Sequence, residues 1–234
     1  MVTLVASSAA RQATLLVVIH SLFISYCGAR EVTYVIQEGR LGSCTDVMIS
    51  IDPRLEKHNL GGMDFIAVWQ HDGVSLVRFN LDRIPKKALV TKASLKLYCN
   101  SVGFADEEIR RDWPIAVHSF EHKWREGTGT DKSISRNGTT IKTFDGKKPW
   151  PKGSPLASAG TRLGAIVHRG GAPRWYEWPL KVQVINEWIS GKRPNNGMIV
   201  WGKAPGKAVS FSSSESPRLE TRPQLTLTVT IPDK

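Results

Sequence analysis

The stretch Thr91-Lys92-Ala93-Ser94-Leu95-Lys96-Leu97-Tyr98-Cys99 alternates strictly. Ala93, Leu95, Leu97 and Cys99 fall on one side, and Lys92, Ser94 and Lys96 on the other. Successive side chains of an extended strand point to opposite faces, so the spacing predicts a strand with one buried and one wet face. The same period returns in Val47, Ile49 and Ile51, in Val77, Phe79 and Leu81, and in Leu225, Leu227 and Val229. Turn signals punctuate these runs: Asn59-Leu60-Gly61-Gly62, His71-Asp72-Gly73, Asp82-Arg83-Ile84-Pro85, Asn195-Asn196-Gly197 and Ala204-Pro205-Gly206. Strands joined by turns, without alternating helices, predict an all-β sandwich or barrel. Its expected core holds Val77, Phe79, Leu95, Leu97, Ile49, Leu225 and Leu227.

One stretch departs from the period of two. Leu180–Gly191 places Val184, Ile185, Trp188 and Ile189 on one helical side, with Gly191 as a stop, and predicts one short helix. The segment from about Gly127 to Gly171 is rich in Gly, Pro, Ser, Thr and Lys with little periodicity. It is expected to be a long loop, where a rigid β scaffold tends to carry function.

The N-terminus carries a single charge, Arg11, then an apolar run from Thr14 that ends in small residues before Arg30-Glu31. The run is too short to span a bilayer comfortably, which needs about 20 apolar residues. The expectation is a signal peptide over residues 1–29, cleaved after Ala29, with residues 30–234 as a single domain and no stable membrane insertion. Only Arg11 leaves with that leader, so nearly all of the net charge of +11 is exported. Outside the cell such a surface favours acidic glycans or anionic walls over nucleic acid. Of the three cysteines, Cys44 and Cys99 remain, a number compatible with one disulfide. Cys99 is in the apolar phase of its strand, whereas Cys44 is out of phase with Val47 and Ile49, so a bridge and two free thiols both stay open.

Several phrases follow one another in a recognisable order: Asp46-Val47-Met48-Ile49, Asn59-Leu60-Gly61-Gly62, Ser75-Leu76-Val77-Arg78-Phe79-Asn80-Leu81, and Ile84 through Tyr98. Trp124-Arg125-Glu126-Gly127-Thr128-Gly129-Thr130, Val184-Ile185-Asn186-Glu187-Trp188, Phe211 through Glu215 and Arg222-Pro223-Gln224-Leu225 come after them. In this order the chain resembles the DNRLRE domain family, itself similar to alginate-binding carbohydrate-binding modules and disaggregatase-related repeats. The resemblance implies a jelly-roll-like antiparallel β-sandwich, often an accessory module beside catalytic domains. The usual acidic residue of the Arg-Phe-Asp-Leu phrase is Asn80 here.

Eight tryptophans suit a sugar binder, because the flat ring stacks on the apolar face of a pyranose while its N–H remains free for a hydroxyl. Trp178 and Trp188 are expected in the core. Trp150, flanked by Lys148 and Lys152, and Trp175, beside Arg174, are the stacking candidates, with Trp124 in the same irregular region. Lys148, Lys152, Arg169 and Arg174 would meet carboxylates or sulfates of an acidic polysaccharide. Asp46, Asp52, Asp64 and Asp72 could contribute to a structural calcium site, although surface acids account for them more simply. No other cofactor is expected.

Catalysis has weaker support. His118, His122, His168, Tyr176 and Arg169 supply the residue types a uronate lyase needs, at no diagnostic spacing. No carboxylate pair, serine elbow or zinc motif is recognisable. Three function classes follow: a secreted acidic-polysaccharide-binding protein, an extracellular structural or adhesive matrix protein, and a small polysaccharide lyase. Asn137-Gly138-Thr139 is a glycosylation sequon.

Overall fold

The computed structural model describes residues 29–69, 73–104, 113–169, 172–202 and 207–232. In chain order its elements are β1 (Ala29–Gln37), β2 (Cys44–Ile49), β3 (Phe65–Trp69), β4 (Val74–Phe79), β5 (Leu89–Phe104), β6 (Trp113–Phe120), β7 (Ala159–His168), β8 (Arg174–Pro179), α1 (Val182–Ile189), β9 (Met198–Gly202), β10 (Lys207–Ser212) and β11 (Gln224–Pro232). The strands form two antiparallel sheets packed as a sandwich. The six-stranded sheet runs β1-β11-β5-β10-β3, with β8 also paired to β5, and the five-stranded sheet runs β2-β4-β9-β6-β7. The expected leader lies outside the described residues except for Ala29, which opens β1 opposite Pro232. Among the described residues, no helix is long and apolar enough to cross a membrane.

The alternating stretch Thr91–Cys99 is the spine of the first sheet. Leu95 stands opposite Leu225 on β11 and opposite Trp178 on β8, and Leu97 stands opposite Tyr176. This row is buried in the sandwich interior, where each large apolar side chain contributes roughly 1.5–3 kcal/mol of transfer free energy. The helix falls where its spacing places it. Val184, Ile185, Trp188 and Ile189 are buried, and Gly191 takes φ +76°, the left-handed conformation that ends a helix without a Cβ clash. The Asn186 side chain accepts from the Val90 amide at 2.8 Å and donates to the Val90 carbonyl at 3.1 Å, tying α1 to β5.

Two expectations need correction. First, the inward face of β2 carries Cys44 and Met48 in the main core, while Val47 and Ile49 point to the opposite face. That outer face is also buried. Val47, Ile49, Val74, Leu76 and Ile199 lie under the connection between β6 and β7, whose Trp124 and Trp150 complete a second apolar cluster with Phe120. With both faces of the strand covered, alternation alone cannot say which one faces the other sheet. Second, the region expected to be loop as far as Gly171 contains β7. Its glycines, Gly160 and Gly164, hide the period, and only Leu163 and His168 are buried along it. Gly164 is needed there because a Cβ would come within 2.4 Å of the Pro179 carbonyl.

The connection is pinned by Asn59, which is fully buried. Its amide donates to the carbonyls of Glu126 and Thr139, and its Oδ1 accepts from Gly129 at 2.9 Å and Gly61 at 3.3 Å. The Asn59-Leu60-Gly61-Gly62 phrase is therefore a clasp more than a turn.

Candidate functional site

The residues singled out in the sequence do not gather in one groove. Trp150 is 3% exposed and Trp124 5%. Trp150 donates its indole N–H to Thr140 O at 3.0 Å and packs edge-on against Phe120, while Trp124 donates to Asn196 O at 2.7 Å. Neither ring has a free face for a sugar, so both are corrected from ligand platforms to core of the connection. The reason is local: the outer faces of β2, β4 and β9 are apolar and need a cover, and these two indoles supply it. Lys148 and Lys152 are exposed on that same connection, over the five-stranded sheet. Trp178 and Trp188 are buried, as expected.

Trp175 and Arg174 belong to β8, in the six-stranded sheet. Because Tyr176 and Trp178 point inward, Trp175 and Glu177 point outward, and Trp175 is 39% exposed. Its direct register partner on β5 is Tyr98, whose ring centroid lies 5.4 Å away at an interplanar angle of 72°. The Arg218 guanidinium sits 5.8 Å from the Tyr98 centroid, and Lys96 pairs with Glu177 at 3.3 Å on the same face. Two aromatic rings, a guanidinium and an ammonium thus share an open sheet surface. Tyr98, Arg218 and Lys96 were missed as site residues. The signal for Tyr98 is its phase, since it continues the wet row of Lys92, Ser94 and Lys96. Arg218 comes from a distant loop and leaves no such trace. Arg169 is exposed at the end of β7, at the other end of the connection that leads to Arg174.

Beneath this face lies a polar contact inside the core. Tyr176 Oη is 2.7 Å from His168 Nδ1 and receives a hydrogen bond from Arg174 at 2.6 Å. The Arg174 guanidinium also lies 4.6 Å from the Tyr176 ring centroid. Burial raises the phenol pKa and Arg174 opposes the shift. His118 bonds the Gly160 carbonyl through Nδ1 at 3.1 Å, and His122 packs tilted by 60° against Phe144, with ring centroids 4.4 Å apart. Three residue types of the lyase reading converge here, but Tyr176 and His168 are buried.

Of the four aspartates considered for calcium, the three described, Asp46, Asp52 and Asp64, do not converge. Asp52 is bound by Arg54 and held down at about 2 by it, Asp64 is exposed, and Asp72 lies outside the described residues. Asp46 instead meets Glu126 and Glu215, one carboxylate oxygen of each lying within 4.8 Å of the other two. Glu126 accepts from the Asp46 amide, and Asp46 Oδ2 accepts from the Ser214 amide at 2.7 Å. Burial, then repulsion from Glu215, pushes Asp46 well up. Burial likewise raises Glu126 to about 7 and raises Glu215, with smaller opposing effects from Arg78 and Arg222.

Cys44 and Cys99 are both buried and free, so no bridge joins them. They sit in different sheets, with Cys44 Sγ facing Thr45 O at 3.9 Å and Cys99 Sγ facing Ser101 O at 3.6 Å. No family model and no curated protein matches the chain.

Proposed function

We propose that this is a secreted, non-catalytic member of the DNRLRE family that binds acidic polysaccharides through the outer face of its six-stranded sheet. The observation that carries the reading is the exposed Trp175, paired with Tyr98 on the neighbouring strand and flanked by the guanidinium of Arg218. Aromatic surface takes the apolar face of a pyranose. Arg218 beside Tyr98 offers a planar fork to a carboxylate or sulfate, whereas Arg174, in phase with Tyr176 and hydrogen-bonded to its hydroxyl, turns to the other side of the sheet. Most of the net charge of +11 stays with the exported protein and draws an anionic chain to it. The leader over residues 1–29 belongs to this reading, and exported protein should begin at Arg30.

The test is a panel of uronate, sulfated and neutral polysaccharides. Acidic chains should bind, and Trp175→Ala should weaken them by roughly 1–3 kcal/mol if the ring is covered as a buried aromatic would be. Equal binding of parent and variant would end the reading. The contact of His168, Tyr176 and Arg174 favours a second reading, a polysaccharide lyase. New unsaturated ends in the same panel, lost in Tyr176→Phe, would support it.

A further inference from the structure

The outer face of the five-stranded sheet is not covered to its end. Val47 and Leu76, paired across β2 and β4, lie under the connection. The next outward pair, Thr45 and Arg78, lies beyond its lip. On one side of this pair is a hollow of about 490 Å³ that reaches Asn80, Lys86 and Trp188, and on the other a hollow of about 520 Å³ that reaches Trp124, Arg125 and Thr128. Thr45 and Arg78 line both, so the two hollows make one groove with this pair at its centre.

Both central residues have unused bonding capacity. The Arg78 guanidinium rests on the Trp124 ring, 5.1 Å from its centroid. Among the described residues, no carboxylate lies within ion-pair distance of it. The Thr45 hydroxyl is buried and has no hydrogen-bond partner. A planar donor fork and an unsatisfied hydroxyl that converge in a groove call for a ligand bearing several acceptor oxygens. Lys86 and Arg125, one in each arm, add positive charge, against Asp82 in one arm and Glu126 in the other. The indole under Arg78 fixes the fork in place, so little side-chain entropy is lost when an anion arrives.

We propose that this groove is a second glycan site, on the sheet opposite Trp175, in which Arg78 takes the carboxylate or sulfate of a saccharide and Thr45 a neighbouring oxygen. The ligand class rests on the function proposed above, while the site rests on its own geometry. Two sites on opposite sheets make the protein a bridge between chains, which joins the binding and the adhesive readings.

Titration calorimetry with a uronic-acid tetrasaccharide, and in a parallel arm a sulfated one, should find two sites per chain. The arm that fills the groove names the acid group. Arg78→Gln should weaken groove binding roughly 10- to 150-fold, the value of a hydrogen bond to a charged group, so that one site remains visible. Thr45→Val, which removes a hydroxyl that has no partner, should leave the melting temperature unchanged or higher and still weaken the groove. A single site in the parent that Arg78→Gln and Thr45→Val leave intact would overturn the groove and spare the Trp175 face. Loss in Arg78→Gln with Trp175→Ala unaffected would do the reverse. No binding by the parent would overturn both.

Discussion

Glu126, from the connection after β6, accepts a hydrogen bond from the backbone amide of Asp46 in β2. β2 is an edge strand of the five-stranded sheet, and the carboxylate blunts that edge by taking up one of its amides. The arrangement brings Glu126, Asp46 and Glu215 within 4.8 Å.

A consequence is that stability should fall as pH rises. All three carboxyls have folded pKa values raised above their ordinary ones, Glu126 from 4.5 to about 7. A raised group binds its proton more tightly in the folded state, so its contribution is fully present below the unfolded value and is lost as pH rises through the folded one. The melting temperature should therefore decrease between about pH 5 and 8. Glu126→Gln, which cannot ionise, should flatten that slope. A melting temperature that rises over the same range would refute the coupling. Asp52 and Asp145 are shifted the other way, held down by contacts with Arg54 and with the Lys147 and Lys148 amides, and act only at lower pH.

Asn59 should be among the least replaceable residues. Its side chain serves two carbonyls and two amides that lie between the clasp and the connection. Asn59→Ala strands these groups without water and should cost roughly 2–4 kcal/mol. Asn59→Asp keeps the shape but turns the donor into an acceptor facing the Glu126 and Thr139 carbonyls, so it should be no better. Gly127→Ala should fail for the same reason, since its Cβ would meet Asn59 Oδ1 at 2.3 Å and its φ is +78°. Urea midpoints give the check, and a loss under 1 kcal/mol for Asn59→Ala would contradict the clasp.

The thiols should be inert in the native protein. Burial raises both, Cys44 well above its ordinary value with help from Asp46, and Cys99 to about 11. The thiolate is the reactive form, so a thiol-reactive dye at pH 8 should label neither until denaturant is added. Reductant should leave the melting temperature unchanged. Rapid labelling of the native protein would contradict the burial, and a reductant-sensitive melt would indicate a bridge.

The sandwich was legible because Leu95, Leu97, Leu225 and Leu227 alternate in strands with one wet face. The helix was legible for the corresponding reason at its own period. What alternation could not reveal was β2, where Val47 and Ile49 are covered by a connection rather than by the other sheet. A strand buried on both faces gives no phase. The candidate site divided along the same line. Trp150 and Trp175 both stand beside basic residues in the sequence, and nothing local distinguishes an indole that roofs an apolar sheet from one on an open surface. Arg78 and Thr45 were not singled out, since their importance comes from where the cover stops.

The two indoles should therefore behave oppositely. Trp150 is enclosed by Phe120, Phe144 and His122 and bonded to Thr140, so Trp150→Ala leaves a large cavity and should cost roughly 3–5 kcal/mol of stability. Trp175 packs on Tyr98 at an open surface, so Trp175→Ala should cost roughly 0.5–1.5 kcal/mol, the value of an aromatic pair. Binding should invert the order. Trp175→Ala should weaken acidic glycans at every ionic strength, because stacking is not screened. Arg218→Gln should matter chiefly at low salt, since the Debye length falls from about 10 Å at 0.1 M to about 3 Å at 1 M. Folded Trp150→Ala, assayed well below its melting temperature, should bind the Trp175 face like the parent. If Trp150→Ala lost binding at that face while Trp175→Ala kept it, the glycan would lie on the connection and not on the six-stranded sheet.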